Sequence, residues 1–211
     1  MAFLLEQFRT LVEYLILTFS YPGLALIMFV ENLFPPIPSE VVLPFAGSLV
    51  ESGQLGLVAV LLASTLGATL GTGLFYYLGA RLGEGRTRAL IRRYGRWLAL
   101  DEDDLDRSLA MFRQHDRSII FFGRFLPGVR TLISLPAGIA RMPLGTFLLY
   151  TVLGTLAWNG LLVGAGVVLG QNWERILEIV DRYETFFWLA VVLLVGLFVV
   201  SRVRKFRRGH A

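Results

Sequence analysis

The chain has no cysteine and only two histidines, His115 and His210, among its 211 residues. Without cysteine there is neither a disulfide nor a thiolate metal ligand, and two histidines are too few for a histidine-rich metal centre. We therefore expect no metal site and no cofactor, and we assign no catalytic residue. Charge is scarce as well, since charged residues make up 17% of the chain against about 25% in soluble proteins.

Apolar residues dominate instead. Hydrophobic residues account for 55% of the chain, 22 glycines are added to them, and the mean hydropathy is +0.63. This composition excludes a disordered protein, argues against a soluble globular enzyme and is typical of a small integral membrane protein. We interpret residues 1–211 as one membrane domain. The net charge of +4 then indicates contact with a membrane surface rather than with nucleic acid.

Hydropathy and proline divide the apolar part into two kinds of segment. Stretches long and apolar enough to cross a bilayer as helices are 57–80, 145–170 and 185–201. Two other apolar stretches, 22–50 and 118–140, are interrupted by proline and glycine and contain ionisable residues. Because proline removes a backbone donor, we predict that these two form opposed re-entrant, broken-helix loops. Residues 1–20 are predicted to be an amphipathic helix at the interface; the alternative is a membrane span, which would place the N-terminus inside.

Arginine placement predicts the orientation. Segment 81–117 contains nine arginines and the tail 202–211 contains five basic residues and no acid. The positive-inside rule places this basic, amphipathic segment and the C-terminal tail in the cytoplasm. Three apolar segments lie between them, so one, most naturally 118–140, must return to the side it entered. The side of the N-terminus stays open.

A weak internal repeat supports this scheme. A shift of 87 residues superposes 66–83 on 153–170 and pairs identical residues, including Gly67 with Gly154 and Gly79 with Gly166. Each copy follows a proline-broken segment, and the two copies would cross in opposite directions. We therefore predict an all-α membrane protein built as an inverted repeat, with about three full spans, an architecture found in many secondary transporters.

Four charged residues lie in apolar surroundings: Glu31, Glu40, Arg124 and Arg130. One such charge facing lipid costs about 2.5–3.5 kcal/mol on insertion scales, and four would cost about 10–14 kcal/mol. These side chains must therefore face each other, water or a ligand. One interpretation is a pair of buried salt bridges that fix the loops. The other is a phosphate site in which the arginines bind the anion and protonation of the acids controls it.

These residues carry a family resemblance. The stretches Glu31 to Glu40 with its Pro-Pro-Ile-Pro-Ser motif, Gly123-Arg-Phe-Leu-Pro-Gly-Val-Arg-Thr131, and Trp158-Asn159 resemble the DedA family, also called the SNARE-associated or VTT-domain family. The resemblance covers about residues 20–175. It implies a multi-pass protein of the bacterial inner membrane that moves lipids between leaflets. Undecaprenyl phosphate is the foremost lipid and phosphatidylethanolamine the lipid of other members, with a link to the proton motive force.

The resemblance also implies roles for individual residues. The two functional arginines of the family fall on Arg124 and Arg130, its first loop acid on Glu31 and its second, only approximately, on Glu40. We predict that Asn159 and Trp158 support the loops, with Asn159 bound to an opened loop backbone or to substrate. The residues predicted to shape the loops are Pro35, Pro36, Pro38, Pro127, Gly128, Pro136 and Gly138.

The sequence thus predicts a proton-coupled transporter or flippase of a phospholipid or polyprenyl phosphate, with membrane lipids as partners, and not an enzyme. A transporter of another anion and a non-transporting membrane-assembly factor stay open as alternatives. A lipid phosphatase is disfavoured, because Thr131 and Ser134 are the candidate nucleophiles near the arginines and no histidine lies beside them in sequence. The exact lipid, the coupling ion, the transport direction and the oligomeric state, a homo-oligomer included, stay undecided.

Overall fold

The computed structural model describes residues 2–33, 39–98, 102–126 and 129–170. Within these four ranges the chain is helical and contains no strand, which confirms the predicted all-α class. The helices are α1 (Ala2–Leu33), α2 (Ser39–Glu51), α3 (Leu57–Leu98), α4 (Glu102–Gly123), α5 (Val129–Leu132), α6 (Ser134–Ile139) and α7 (Leu144–Leu169).

Three of these helices contain segments long and apolar enough to cross a membrane: Tyr14–Leu33, Leu57–Arg93 and Leu144–Leu169. Even the shortest has 20 residues, and about 20 helical residues match the roughly 30 Å hydrocarbon core. The second and third overlap the spans predicted at 57–80 and 145–170, and the second continues to Arg93. The predicted span 185–201 and the predicted cytoplasmic tail lie outside the described residues.

The first candidate span differs from the sequence prediction. An interfacial helix over 1–20 and a loop starting at 22 were expected, whereas α1 continues to Leu33. The predicted boundary corresponds to a kink, because Ser20 has a φ of 51° and Pro22 follows it inside the helix. Proline is tolerated in the first turn of a helix, so the chain resumes helical geometry after the kink.

The two proline-rich stretches fold into short helices beside the long ones. The first ends α1 and continues as α2, and the second contains the end of α4, then α5 and α6. Segment 81–117 forms the C-terminal part of α3 and most of α4. These two helices are joined by ion pairs of Arg88 with Glu102 and Asp106, and of Arg113 with Glu84.

Long and short helices pack in a crossed pattern. The short α2 packs along α7 and the short α6 packs along α3, while α1 packs on α3 and α4 on α7. Glycine makes both short-helix contacts close. A Cβ atom at Gly166 would overlap the carbonyl of Pro44 in α2, and one at Gly79 would overlap the carbonyl of Leu135 in α6. Small residues of this kind let membrane helices approach backbone to backbone.

Two apolar clusters form the interior. The first joins α1, α2, α3 and α7 through buried residues such as Leu24, Val42 and Val163. The second joins α4, α6 and α7 through Ile120, Phe147 and their neighbours. Several buried polar and charged side chains accompany these clusters, and they form the site described next.

Candidate functional site

Two buried arginines line one small cavity. Arg124, which directly follows α4, is 2% exposed, and Arg130, in α5, is 9% exposed. The cavity measures about 10 Å³, roughly what one water molecule needs. Its other lining residues are Met28, Asn32, Ala68, Thr155, Trp158 and Asn159. The structure thus brings together four of the predicted site residues: both arginines, Trp158 and Asn159.

Arg130 is paired with an acid. It forms a buried salt bridge with Glu31, and its Nη1 donates a hydrogen bond to Ser39 Oγ at 2.9 Å. The second oxygen of Glu31 accepts a 2.7 Å hydrogen bond from Asn32 Nδ2. Asn32 Oδ1 in turn accepts one from the Thr131 hydroxyl at 3.2 Å. Residues of α1, α2 and α5 therefore hold this ion pair in one network.

Arg124 has a different environment. Its Nη2 donates to the hydroxyls of Ser134 and Thr151, each at 3.1 Å, and its guanidinium carbon lies 6.0 Å from the centre of the Phe147 ring. Its buried Nε has no hydrogen-bond partner, and no described carboxylate forms a salt bridge with it. Arg124 is thus a buried cation whose contacts in the described ranges are neutral.

Glu40 stands apart from the cavity. It lies in the first turn of α2, where the helix dipole favours an acid. Its Oε1 is buried and has no hydrogen-bond partner within the described part of the chain. Of the two buried salt bridges considered in the sequence analysis, the structure contains the one between Glu31 and Arg130. No described salt bridge joins Glu40 to Arg124.

The residues predicted to support or shape the loops lie in α7 and in α6 where the structure describes them. Asn159 Nδ2 donates to Ser64 Oγ at 3.1 Å and to Thr65 Oγ1 at 3.4 Å, so within the described ranges its amide nitrogen binds side chains of α3. Gly138 in α6 touches α3 so closely that a Cβ atom there would overlap the carbonyl of Tyr76. Pro136 lies in α6, and the remaining loop-shaping residues, Pro35, Pro36, Pro38, Pro127 and Gly128, lie outside the described residues.

Sequence reasoning missed several partners in this site. Asn32, Ser39 and Thr151 each bind a buried charged group. One signal was available, because Thr151, Thr155 and Asn159 recur every four residues, which places them on one face of α7. All three are buried. A polar stripe in an otherwise apolar span indicates a face turned toward protein or water.

Comparison with models of known protein families shows which family the chain belongs to. The family model of the VTT domain matches residues 37–168, which is more than half of the chain. The chain belongs to the VTT-domain family. The resemblance to the DedA family is thereby confirmed.

This VTT-domain protein is similar over most of its length to several bacterial proteins. It is 41% identical over 194 residues, 90% of this chain and 91% of the relative, to an alkaline phosphatase-like protein of Lactococcus lactis subsp. cremoris. It is 33% identical over 185 residues, 88% and 89% of the two chains, to undecaprenyl phosphate transporter A of Bacillus subtilis. The transporter of the same name in Staphylococcus aureus is 28% identical over 190 residues, 90% and 94% of the two chains. No solved structure matches.

Proposed function

We propose that this VTT-domain protein is a transporter that moves a lipid phosphate, foremost undecaprenyl phosphate, between the leaflets of the bacterial inner membrane. One observation carries the proposal: Arg124 is buried without an acidic partner among the described residues and lines the same cavity as Arg130. The names of the Bacillus and Staphylococcus relatives support the substrate class.

The electrostatics of Arg124 favour an anionic ligand. A buried ion without a counter-charge costs several kcal/mol, and arginine cannot escape that cost by losing its proton. A phosphate group supplies both the missing charge and oxygen acceptors that match the planar guanidinium. Ser134 and Thr151 fix the orientation of the guanidinium without neutralising it. The guanidinium of Arg124 is thus held in place and its charge is available to bind an anion.

The Glu31–Arg130 pair provides the proposed coupling to protons. In the structure both carboxylate oxygens of Glu31 are engaged, one by Arg130 and the other by Asn32. A proton on Glu31 would remove its charge and weaken its hold on Arg130, which could then contact the substrate phosphate. Glu40, whose Oε1 lacks a described partner, is the second proposed proton acceptor.

We further propose that the fold is an inverted repeat with α2 and α6 as equivalent re-entrant helices. The shift of 87 residues pairs Gly79 with Gly166, and each of them contacts a short helix through its backbone. The same shift pairs Gly83 with Gly170, and both have a positive φ, of 61° and 52°. A phosphate group is larger than the roughly 10 Å³ cavity, so the cavity would have to widen to admit it.

Orientation follows from the basic surface. Arginines between residues 81 and 117 include exposed ones, such as Arg92 and Arg113, whose side chains are 66% and 58% accessible. The positive-inside rule places this surface in the cytoplasm, and the tail 202–211 with it. The protein would then present its α3–α4 pair to the inner face of the membrane.

Leaflet-resolved transport in proteoliposomes tests the function. We expect Arg124→Met and Arg130→Met each to slow transport of a fluorescent polyprenyl phosphate by about tenfold or more, because a hydrogen bond to a charged group contributes about 1.5–3 kcal/mol. Arg117→Met, at an exposed position of α4, is the matched control and should transport normally. Unchanged transport by both cavity variants would contradict the proposal.

A second readout separates the transporter from the lipid phosphatase. The purified protein should release no phosphate from a labelled polyprenyl phosphate, at any rate above that of empty liposomes. Release that depends on the protein and is lost in Arg124→Met would instead establish a hydrolase, in line with the name of the Lactococcus relative.

A further inference from the structure

Three polar atoms of the cavity residues are buried without a hydrogen-bond partner in the described ranges. They are Arg124 Nε, Trp158 Nε1 and Asn159 Oδ1. The first two are donors and can never accept, while an amide oxygen can only accept. Burying such atoms unpaired costs about 1–3 kcal/mol each. The residues that line the cavity therefore carry two donors and one acceptor without a described partner.

The orientation of the Asn159 amide follows from its neighbours. Ser64 Oγ donates its only proton to the carbonyl of Leu61 at 3.2 Å, so it can only accept from Asn159. The amide nitrogen must therefore face Ser64 and Thr65 on α3, at 3.1 and 3.4 Å. The amide oxygen is then the atom left without a partner, on a side chain that is 1% exposed.

This donor and acceptor pattern discriminates between protonation states of phosphate. A fully ionised phosphate has acceptors only, so it would leave the Asn159 oxygen unpaired and facing an anion. A singly protonated phosphate monoester has ionised oxygens for the two donors and one P–OH group for the acceptor. A phosphodiester, in contrast, has no P–OH group.

We propose that Arg124, Trp158 and Asn159 bind the singly protonated form of a phosphate monoester. The P–OH group donates to Asn159 Oδ1, while Arg124 Nε and Trp158 Nε1 donate to ionised oxygens. This inference rests on the proposed function and narrows its substrate class to monoester lipids, such as polyprenyl phosphate, over phosphodiester lipids. It also means that the substrate brings one proton into the site by itself.

The charges around the cavity agree with a singly charged ligand. The charged lining residues are Arg124, directly after α4, and Arg130 of α5, whereas the lining residues of α1, α3 and α7 are uncharged. Behind the lining, Glu31 of α1 neutralises Arg130. One unpaired positive charge remains, on Arg124, and one anionic charge matches it.

Binding to the full-length protein in nanodiscs of zwitterionic lipid tests the proposal. The dissociation constant of polyprenyl phosphate should be constant at low pH and rise about tenfold per pH unit above about 6, the second pKa of a phosphate monoester. The methyl ester of the same lipid carries one negative charge throughout but no P–OH. It should bind about tenfold more weakly at pH 5.5. Any pH dependence that both lipids share reports Glu31 and Glu40.

Single substitutions test which side chain contacts the phosphate group and how. Asn159→Leu should abolish the preference for the monoester over its methyl ester. Trp158→Phe, which keeps the ring beside Phe125, should weaken both lipids about tenfold and leave the pH dependence unchanged. Tyr77→Phe, at an exposed tyrosine of α3, removes a polar group outside the cavity and should bind both lipids normally.

Three binding results would contradict the proposed protonation state, the assignment to a lipid headgroup or the proposed function. Equal binding of the monoester and the methyl ester by the wild-type protein, a comparison that needs no variant to fold, overturns the proposed protonation state and leaves lipid phosphate transport standing. Inorganic phosphate should compete only at far higher concentration, and equal affinity would overturn the assignment to a lipid headgroup. If polyprenyl phosphate binds no better than the uncharged polyprenol, the proposed function itself fails.

Discussion

Replacing the two buried arginines by methionine should change the free energy of unfolding by clearly different amounts. Methionine keeps an unbranched apolar side chain and removes the guanidinium. In Arg130→Met the carboxylate of Glu31 stays buried and loses its counter-charge. In Arg124→Met no described carboxylate loses a partner, and only the hydroxyls of Ser134 and Thr151 lose a donor.

The magnitudes follow from these contacts. Removing one partner of a buried ion pair costs about 3–5 kcal/mol, because the other charge remains uncompensated. We therefore expect Arg130→Met to lower the free energy of unfolding by about that amount. For Arg124, relief of a desolvation cost of several kcal/mol opposes the loss of two hydrogen bonds, each about 1.5–3 kcal/mol. The net change should lie within about 2 kcal/mol of zero.

Unfolding of the purified proteins in mixed micelles with increasing sodium dodecyl sulfate measures both changes. Arg117→Met serves as the control for loss of an exposed arginine and should stay within about 0.5 kcal/mol of the wild type. The double variant Glu31→Leu/Arg130→Met should recover much of the loss caused by Arg130→Met alone. An equally large loss in Arg124→Met would refute the reasoning, since it would show that Arg124 has a stabilising charge partner.

Three further predictions concern other parts of the molecule. Gly166→Ala should destabilise the protein in the same unfolding assay, because the new Cβ would overlap a carbonyl of α2, whereas Gly73→Ala, with nothing within 4 Å, should be neutral or stabilising. Glu31→Gln should weaken the response of transport to an imposed pH gradient, and an unchanged response would exclude Glu31 as a coupling group. The hydrogen bond from Arg88 lowers the pKa of Asp106, so the pair stabilises the fold at neutral pH and loses this effect as pH falls through the lowered pKa; Asp106→Asn should reduce stability at pH 7 and have no effect in strong acid.

The charged residues of the site could be predicted from local sequence, but the pairing of acids with arginines could not. A charged residue in an apolar run must be buried or solvated wherever the run lies, so Glu31, Arg124 and Arg130 stand out without a structure. Which acid meets which base depends on how helices far apart in sequence pack. Glu31 and Arg130 are 99 residues apart. Because Glu31 and Glu40 both lie in the same apolar, proline-broken stretch, the sequence does not show which of them pairs with an arginine.

The helix boundary near residue 20 shows the same limit. The polar residues near the N-terminus predict that the first helix ends near residue 20, where the structure has a kink at Ser20. A proline in a first turn is compatible with a continuing helix. Whether the helix resumes depends on the surface it packs on, which here is α3, and no local pattern reveals that surface.

The crossed packing of α2 on α7 has a consequence for biogenesis. The two helices begin roughly 100 residues apart, so at about 5–20 residues per second α2 leaves the ribosome about 5–20 s before its partner. The helix α6 has no such delay, because α3 is already made when α6 emerges. The face of α2 that contacts Gly166 therefore has no partner on α7 during this interval, and a chain that stalls before α7 is made would leave that face uncovered.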